Sequence, residues 1–377
     1  MRILIYEIVH LDWVIPYAKL LADENYRVTF YVASSFEKDL KEALGETFFK
    51  YTWIYERPAI SNYTFHQSFN KVLSKSLWDF IILNTVDSRH LLIYFLLKKV
   101  SNTKVLLNVH AINNFFKPTI NLNIRINIRT IGKKLLKRKI DGYIVNAYEM
   151  KMYLEKNCLT EKPVFWLPPV IYNPLPAPQQ STNSTFTILI PGTIDVRRRN
   201  YDLVLTIMHE YQLEGQNPIK FIFAGKPHDI YGSEIIAKCK ELAVMGFDIV
   251  YFEEEIPEVL FQKLVSEADV ILSPLKSQIS IHDNIEETYG ITQGSGNIYD
   301  AIRHAKPLIL PFLVQKVDAI KSSCLTYQTK TELKEVLNML FLNKQKLSYY
   351  HQNAVENSLG FTKEKIKERL SNLFSSI

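Results

Sequence analysis

Glycine is scarce in this chain, at 12 of 377 residues. Each glycine cluster therefore marks a place where the backbone must turn tightly or approach a ligand. Cysteine is scarcer still: Cys158, Cys239 and Cys324 are far apart and form no Cys-x-x-Cys pair. That excludes a paired-cysteine zinc site and a disulfide framework, and three isolated thiols fit a reducing, cytoplasmic setting. No apolar run approaches the ~20 residues needed to cross a bilayer; the longest is 91–97, LLIYFLL. The opening MRILIYEIVHLDWVIP is broken by Glu7 and Asp12 and lacks the continuous apolar core and small-residue cleavage site of a signal peptide. Gly-x-Gly-x-x-Gly is missing after the first apolar strand, which argues against a dinucleotide-dependent oxidoreductase. There is also no Asp-x-Asp pair to hold a divalent cation, so no metal is expected.

The length predicts two or three domains. Hydrophobic residues make up 47% and charged residues 22%, enough to fill a globular core. A net charge of +6 suits a phosphate-bearing substrate or an anionic surface and does not call for nucleic acid. Apolar, β-branched runs at 2–7, 27–33, 79–84, 104–109 and 141–145 alternate with helical patterns such as 13–24 and 91–100. Asp12 stands where a helix N-cap would. Strands apolar on both faces, alternating with helices, predict a parallel sheet covered by helices. Residues 173–185, rich in Pro, Gln, Ser and Thr, read as a linker between an N-terminal domain, 1–172, and a second domain, 186–356. The strand–helix pattern then restarts at 186–191 and runs to 307–311. A terminal helix at 357–377 is expected to pack back on the first domain. The fold class is α/β, with two Rossmann-like doubly wound parallel-sheet domains facing a central cleft, where ligands sit beyond the carboxyl ends of strands.

The segment 286–311, EETYGITQGSGNIYDAIRHAKPLILP, contains Gly290, Gly294 and Gly296 directly before a helical pattern and a buried strand. A flexible loop that opens a helix presents free N–H groups and the positive end of the helix dipole, a geometry suited to a diphosphate. Ser295 and Asn297 add side-chain donors, Asp300 can accept from ribose hydroxyls, and Glu287 can reach sugar hydroxyls. A plain turn feeding a helix is the competing reading.

This segment resembles the retaining GT-B glycosyltransferases that carry a Glu–seven residues–Glu motif, the family 4-like group. Glu287, Tyr289 and Gly290 match the start of that pattern; Asp300, Lys306, Pro307 and 308–311 match its end. Asp300 replaces the second, ribose-binding Glu, the stretch TQGSG lengthens the loop by about five residues, and Ala305 replaces a Gly. The sequence PGTIDVRRRN at 191–200 is similar to the family's diphosphate loop: Gly192 is kept, Thr193 replaces an Arg, and Arg199 occupies a Lys position, with Arg197 and Arg198 beside it. Lys226 follows the glycine after the next strand, and 252–257 lies where such enzymes receive the nucleobase. The resemblance implies transfer of a sugar from a UDP- or GDP-sugar to a saccharide or lipid-linked acceptor, in cell-surface polysaccharide or glycoconjugate synthesis. It implies no cofactor besides the donor.

In the first half, His110 follows a strand where the family often keeps a cleft-facing histidine. His10 and Asp12 lie after the first strand, and Asp87 and His90 follow another. The stretch Arg125–Lys139 is dense in lysine and arginine, holds no acidic residue and interleaves Ile126, Ile128, Ile131, Leu135 and Leu136. A basic amphipathic helix of this kind suits an anionic membrane leaflet, which would make the protein peripheral on the inner membrane face. A groove for a charged acceptor and a solvated helix are the other readings. A catalytically inactive GT-B-like binding protein and a nucleotide-sugar epimerase are the alternative functions.

Overall fold

The computed structural model describes residues 1–57, 60–117, 122–174, 185–213, 219–280, 285–314 and 317–377, with the side chains of 212 and 213 left aside. Most of the expected linker, 173–185, lies outside the described residues. They divide into two units: Met1–Pro169 with His282–Glu287 and Ile366–Ile377, and Val170–Ile281 with Thr288–Lys365.

In the first unit, short apolar runs become strands because both sheet faces are covered by helices. The order along the chain is β1 (Arg2–Glu7), α1 (Leu11–Leu21), β2 (Arg27–Ala33), α2 (Glu37–Leu44), β3 (Thr52–Glu56), α3 (Asn62–Lys75), β4 (Phe80–Leu83), α4 (His90–Leu97), β5 (Lys104–Asn108), α5 (Ile112–Phe116), α6 (Ile124–Leu136), β6 (Gly142–Val145), α7 (Tyr148–Lys156) and β7 (Val164–Trp166). Seven parallel strands lie in the order β3-β2-β1-β4-β5-β6-β7. Ile3, Leu4 and Ile5 at the centre are fully buried. On one face Tyr6, Tyr31, Ile81, Leu83, Leu107 and Tyr143 form a core with Phe65 and Phe69 of α3 and Ile93 and Leu96 of α4.

Asp12 is not the helix cap. Helix α1 begins one residue earlier than Asp12, with His10 at the N-cap and no side-chain capping bond, and Asp12 is an exposed first-turn residue. A carboxylate in the first turn still favours the helix through the dipole. Ile366–Ile377 joins this unit: the Arg369 guanidinium lies 3.9 Å over the Trp166 ring, and Phe374 packs on Phe80.

The second unit contains β8 (Phe186–Pro191), α8 (Tyr201–Leu213), β9 (Ile219–Ala224), α9 (Ile230–Val244), β10 (Ile249–Tyr251), α10 (Glu258–Glu267), β11 (Val270–Leu272), β12 (Gln278–Ser280), β13 (Glu286–Thr288, shared with the first unit), α11 (Gly296–Arg303), β14 (Leu308–Pro311), β15 (Cys324–Tyr327), α12 (Lys330–Leu342), α13 (Lys344–Ser358) and the start of α14 (Lys363–Ser375). Its main sheet is parallel, in the order β10-β9-β8-β11-β14-β15, and β12 pairs with β13 in a small separate sheet.

Both sheets reverse their winding beside the first strand: β1 lies between β2 and β4, and β8 between β9 and β11. The loops after β1 and β4, and after β8 and β11, therefore diverge. Each reversal opens a crevice at the carboxyl ends of the strands, where ligands bind in such sheets.

Candidate functional site

In the second unit the crevice is built from the β8 loop and the N-terminus of α11. Gly192 follows β8 with φ of 97°, a left-handed conformation that favours glycine. The side of Gly192 that lacks a Cβ is packed against the Arg199 guanidinium. Arg199 is buried; its Nη1 donates to Thr193 O at 3.0 Å and its Nη2 to Asn297 Oδ1 at 3.2 Å. Asn297 in turn donates through Nδ2 to Pro191 O at 3.2 Å and Ser273 Oγ at 2.6 Å. Tyr201 Oη donates to Gly192 O at 2.9 Å. Gly192, Thr193, Arg199 and Asn297 thus form one network, with Ser273 and Tyr201 as members that the sequence did not single out. Tyr289 is buried nearby; burial raises its pKa, against the pull of Arg199 and Arg198.

Helix α11 starts at Gly296 with Ser295 at its N-cap, and no side chain caps it. The amides of Gly296 and Asn297 donate to no acceptor among the described residues. Upstream, Gly290 has φ of 79°, and Thr288 O receives the N–H groups of Ile291, Thr292 and Gln293, which closes 288–293 into a tight turn before Gly294. An uncapped helix N-terminus carries partial positive charge and suits an anion. Asp300, one turn into α11, is largely buried with Arg303 Nη1 at 3.9 Å.

The other cations are placed differently. Arg197 clamps the buried Asp195 carboxylate, Nη2 to Oδ2 at 2.8 Å, and Arg198 Nε lies 3.8 Å from the same oxygen. Burial works to raise the Asp195 pKa, but the Arg197 hydrogen bonds and charge outweigh it and hold the carboxyl below its usual range. Lys226 is turned to Glu255 at 2.7 Å.

In the first unit the crevice gathers Glu7, His10, Thr85 and His110. Glu7, at the end of β1, is fully buried. Its Oε1 accepts from the amides of Val9 at 2.8 Å and His10 at 2.9 Å; its Oε2 accepts from Thr85 Oγ at 2.6 Å. Burial pushes the Glu7 pKa up to about 7, against the opposing effects of His10 and the hydrogen bonds. His110 Nε2 lies 3.0 Å from Thr85 Oγ and 2.9 Å from Asn84 O. Its ring sits 5.3 Å from that of His10 and meets Trp13 edge-on at 5.2 Å. Burial first, then His10, lowers the His110 pKa to about 3, so the imidazole is neutral at working pH. Of this group the sequence singles out His10 and His110, but not Glu7 or Thr85.

Glu287 has a different local task. Its Oε1 accepts from the Asn114 amide at 2.7 Å and its Oε2 from the Asn113 amide at 3.3 Å, while Asn113 Nδ2 donates to Glu286 O. The carboxylate thereby caps the N-terminus of α5, where orphan N–H groups need acceptors.

The basic stretch forms α6 and the single turn after it. Lys133 is buried and donates to Asn114 O and Oδ1; Lys137 donates to Phe116 O and lies over the rings of Phe115 and Phe116. The exposed side carries Leu122, Ile124, Ile128 and Ile131 beside Arg125, Lys134 and Arg138. Among the described residues no helix is long and apolar enough to cross a membrane, and no group of three His, Cys, Asp or Glu side chains is placed to hold a metal ion.

No protein-family model matches this sequence, and no curated protein matches it. Solved structures do. Sucrose-phosphate synthase from Thermosynechococcus elongatus superposes with a TM-score of 0.66 at 15% identity, covering 100% of this chain and 98% of that one. The Anabaena protein HepE, solved with UDP and glucose, gives 0.65 at 15% identity, with full coverage of both chains. A putative UDP-N-acetylglucosamine 2-epimerase from Listeria monocytogenes gives 0.62 at 12% identity, covering 100% and 97%. At these identities the likeness establishes the fold: two parallel-sheet α/β units of the GT-B type.

Proposed function

We propose that the protein is a glycosyltransferase that takes a sugar from a UDP- or GDP-sugar and passes it to a saccharide or lipid-linked acceptor. The observation that carries this is the uncapped N-terminus of α11 beside the Arg199–Gly192–Thr193 network, at the winding reversal of the second sheet. The free amides of Gly296 and Asn297 would receive the diphosphate, with the cation of Arg198 close to the same loop and the buried charge of Arg199 beneath it. Asp300 would accept from the ribose, and Lys226 would exchange Glu255 for donor phosphate. The Asn297 side chain would act by fixing the loop rather than by touching the donor, because its carboxamide already has three partners. Within the GT-B fold the Glu287–Tyr289–Gly290 and Asp300–Lys306–Pro307 matches favour the family 4-like group. The domain limits 1–172 and 186–356 belong to the same reading, with 1–172 receiving the acceptor.

His110 and His10 would contact the sugar or acceptor, with Asp12 and Glu287 as the carboxylate candidates for the chemical step. The exposed face of α6, apolar residues interleaved with Arg125, Lys134 and Arg138, would rest on an anionic leaflet. Titration of UDP and GDP into the protein, followed by turnover of the matching nucleotide sugars, tests the donor assignment. An epimerase with the same fold is the second reading, favoured by the fold it shares with the Listeria protein. Conversion of the nucleotide sugar to its epimer without added acceptor would support that reading against transfer.

A further inference from the structure

We propose that Glu7, acting through Thr85, positions His110 as the Nε2–H tautomer and so leaves Nδ1 as the hydrogen-bond acceptor that this crevice offers to a hydroxyl group. Asn84 O can only accept, and it lies 2.9 Å from His110 Nε2. When ionised, the Glu7 carboxylate can only accept, and its Oε2 lies 2.6 Å from Thr85 Oγ. The single Thr85 proton therefore goes to Glu7, and Thr85 Oγ turns a lone pair to Nε2 at 3.0 Å. Two acceptors at one ring nitrogen require that nitrogen to carry the hydrogen. The Thr85 hydroxyl passes the carboxylate's demand for a proton on to the histidine.

The rest of the surroundings hold this order in place. Glu7 is fully buried, and its Oε1 is fixed by the amides of Val9 and His10. The His10 loop is tied to the same carboxylate that sets the tautomer, and its ring faces that of His110. His110 Nδ1 has no hydrogen-bond partner among the described residues, and the residue is partly exposed. The titratable groups facing Glu7 are His10, Tyr6 and Tyr17; burial raises both tyrosines far above neutral pH, so they carry no charge there. Glu7 is a positioning residue, because it reaches His110 only through Thr85. The tautomer stands independently of the transferase reading; the use of Nδ1 toward a sugar or acceptor hydroxyl rests on it.

Nitrogen-15 NMR of histidine-labelled protein at pH 8.5, where Glu7 is ionised, reads the tautomer directly, with His110→Gln used to assign the signal. The expected result in wild type is a protonated, pyrrole-type Nε2 and an unprotonated, pyridine-type Nδ1; the reverse pattern overturns the proposal without any variant. In Glu7→Gln the amide oxygen must stay on the Val9 and His10 N–H groups. Its NH2 then faces Thr85 and donates, which frees the Thr85 proton for Nε2. A shift from one tautomer toward a mixture is expected in Glu7→Gln, and Thr85→Ser should keep the wild-type pattern. An unchanged pattern in a folded Glu7→Gln protein would mean that Asn84 O alone holds the ring, and would refute the role of Glu7. Nucleotide titration of the same samples reports separately on the donor site in the other unit.

Discussion

Replacing Asn297 with alanine should destabilise the second unit well beyond the usual effect of a point substitution. The wild-type amide makes three buried bonds: to Pro191 O at 3.2 Å, to Ser273 Oγ at 2.6 Å and from Arg199 Nη2 at 3.2 Å. Alanine removes all three and leaves a strand-end carbonyl, a hydroxyl and a guanidinium N–H without these partners in a buried setting. A stranded neutral group costs about 1–2 kcal/mol and a charged one more. The serine hydroxyl can turn to recover part of its loss, so the sum is about 3–5 kcal/mol. That is a large share of the roughly 5–15 kcal/mol by which a domain is stable. Hydrogen exchange read residue by residue during urea titration is the assay, because a chain of two units need not unfold in one step. Protection should fall in β8, β11 and α11 and hold in β1, β4 and β5. A loss under about 1 kcal/mol would show that the network does not anchor the loop.

Further outcomes follow from the geometry. Glu287→Ala should cost about 1 kcal/mol by uncapping α5; a large activity loss with unchanged stability would instead mean that the carboxylate contacts substrate. Burial lowers the His90 pKa to about 3, well below its unfolded value, so its contribution is present above pH 6.5 and fades as pH falls toward 3. At pH 5 that loss is about 2 kcal/mol, and His90→Gln should flatten the acid side of a Tm-versus-pH curve. Glu7 acts with the opposite sign, since its raised pKa favours the fold below its unfolded value and withdraws that support as pH rises through about 7. Changing Arg125, Lys134 and Arg138 to glutamine should abolish sedimentation with anionic liposomes at low salt, each cation near the surface being worth about 1 kcal/mol. Lys133 and Lys137 are left out because they hold Asn114 and Phe116; failure of wild type to sediment would remove the membrane role.

What the sequence discloses depends on how local the cause is. The strands Arg2–Glu7, Arg27–Ala33 and Phe186–Pro191 are legible to the residue, because continuous β-branched and aromatic runs leave little choice. Thr52–Glu56, Val164–Trp166 and Cys324–Tyr327 escape notice because they are sheet-edge strands, short or mixed in composition, that pair on one side only. The glycine-rich opening of α11 could be found from spacing alone. Side-chain direction could not: Asn297 and Glu287 sit in the right segment, yet Asn297 faces inward to Pro191 and Ser273, and Glu287 caps a helix 173 residues earlier in the chain. Glu7 reads as a polar break in an apolar opening. Only the register that sets Tyr6 beside Leu83 carries β1 and β4 to a common end, where Glu7 meets Thr85. A lone acid closing an apolar strand is the signal that would have found it.

The proposed donor site in the second unit is tested most directly by isothermal titration of UDP and GDP into wild type and Asp300→Ala. One nucleoside diphosphate should bind wild type without added metal, and Asp300→Ala should weaken it by about 1–3 kcal/mol, the cost of unpairing buried hydroxyls. Unchanged affinity in the variant would place the ribose elsewhere. Failure of wild type to bind either nucleotide, with or without magnesium or manganese, would contradict the account.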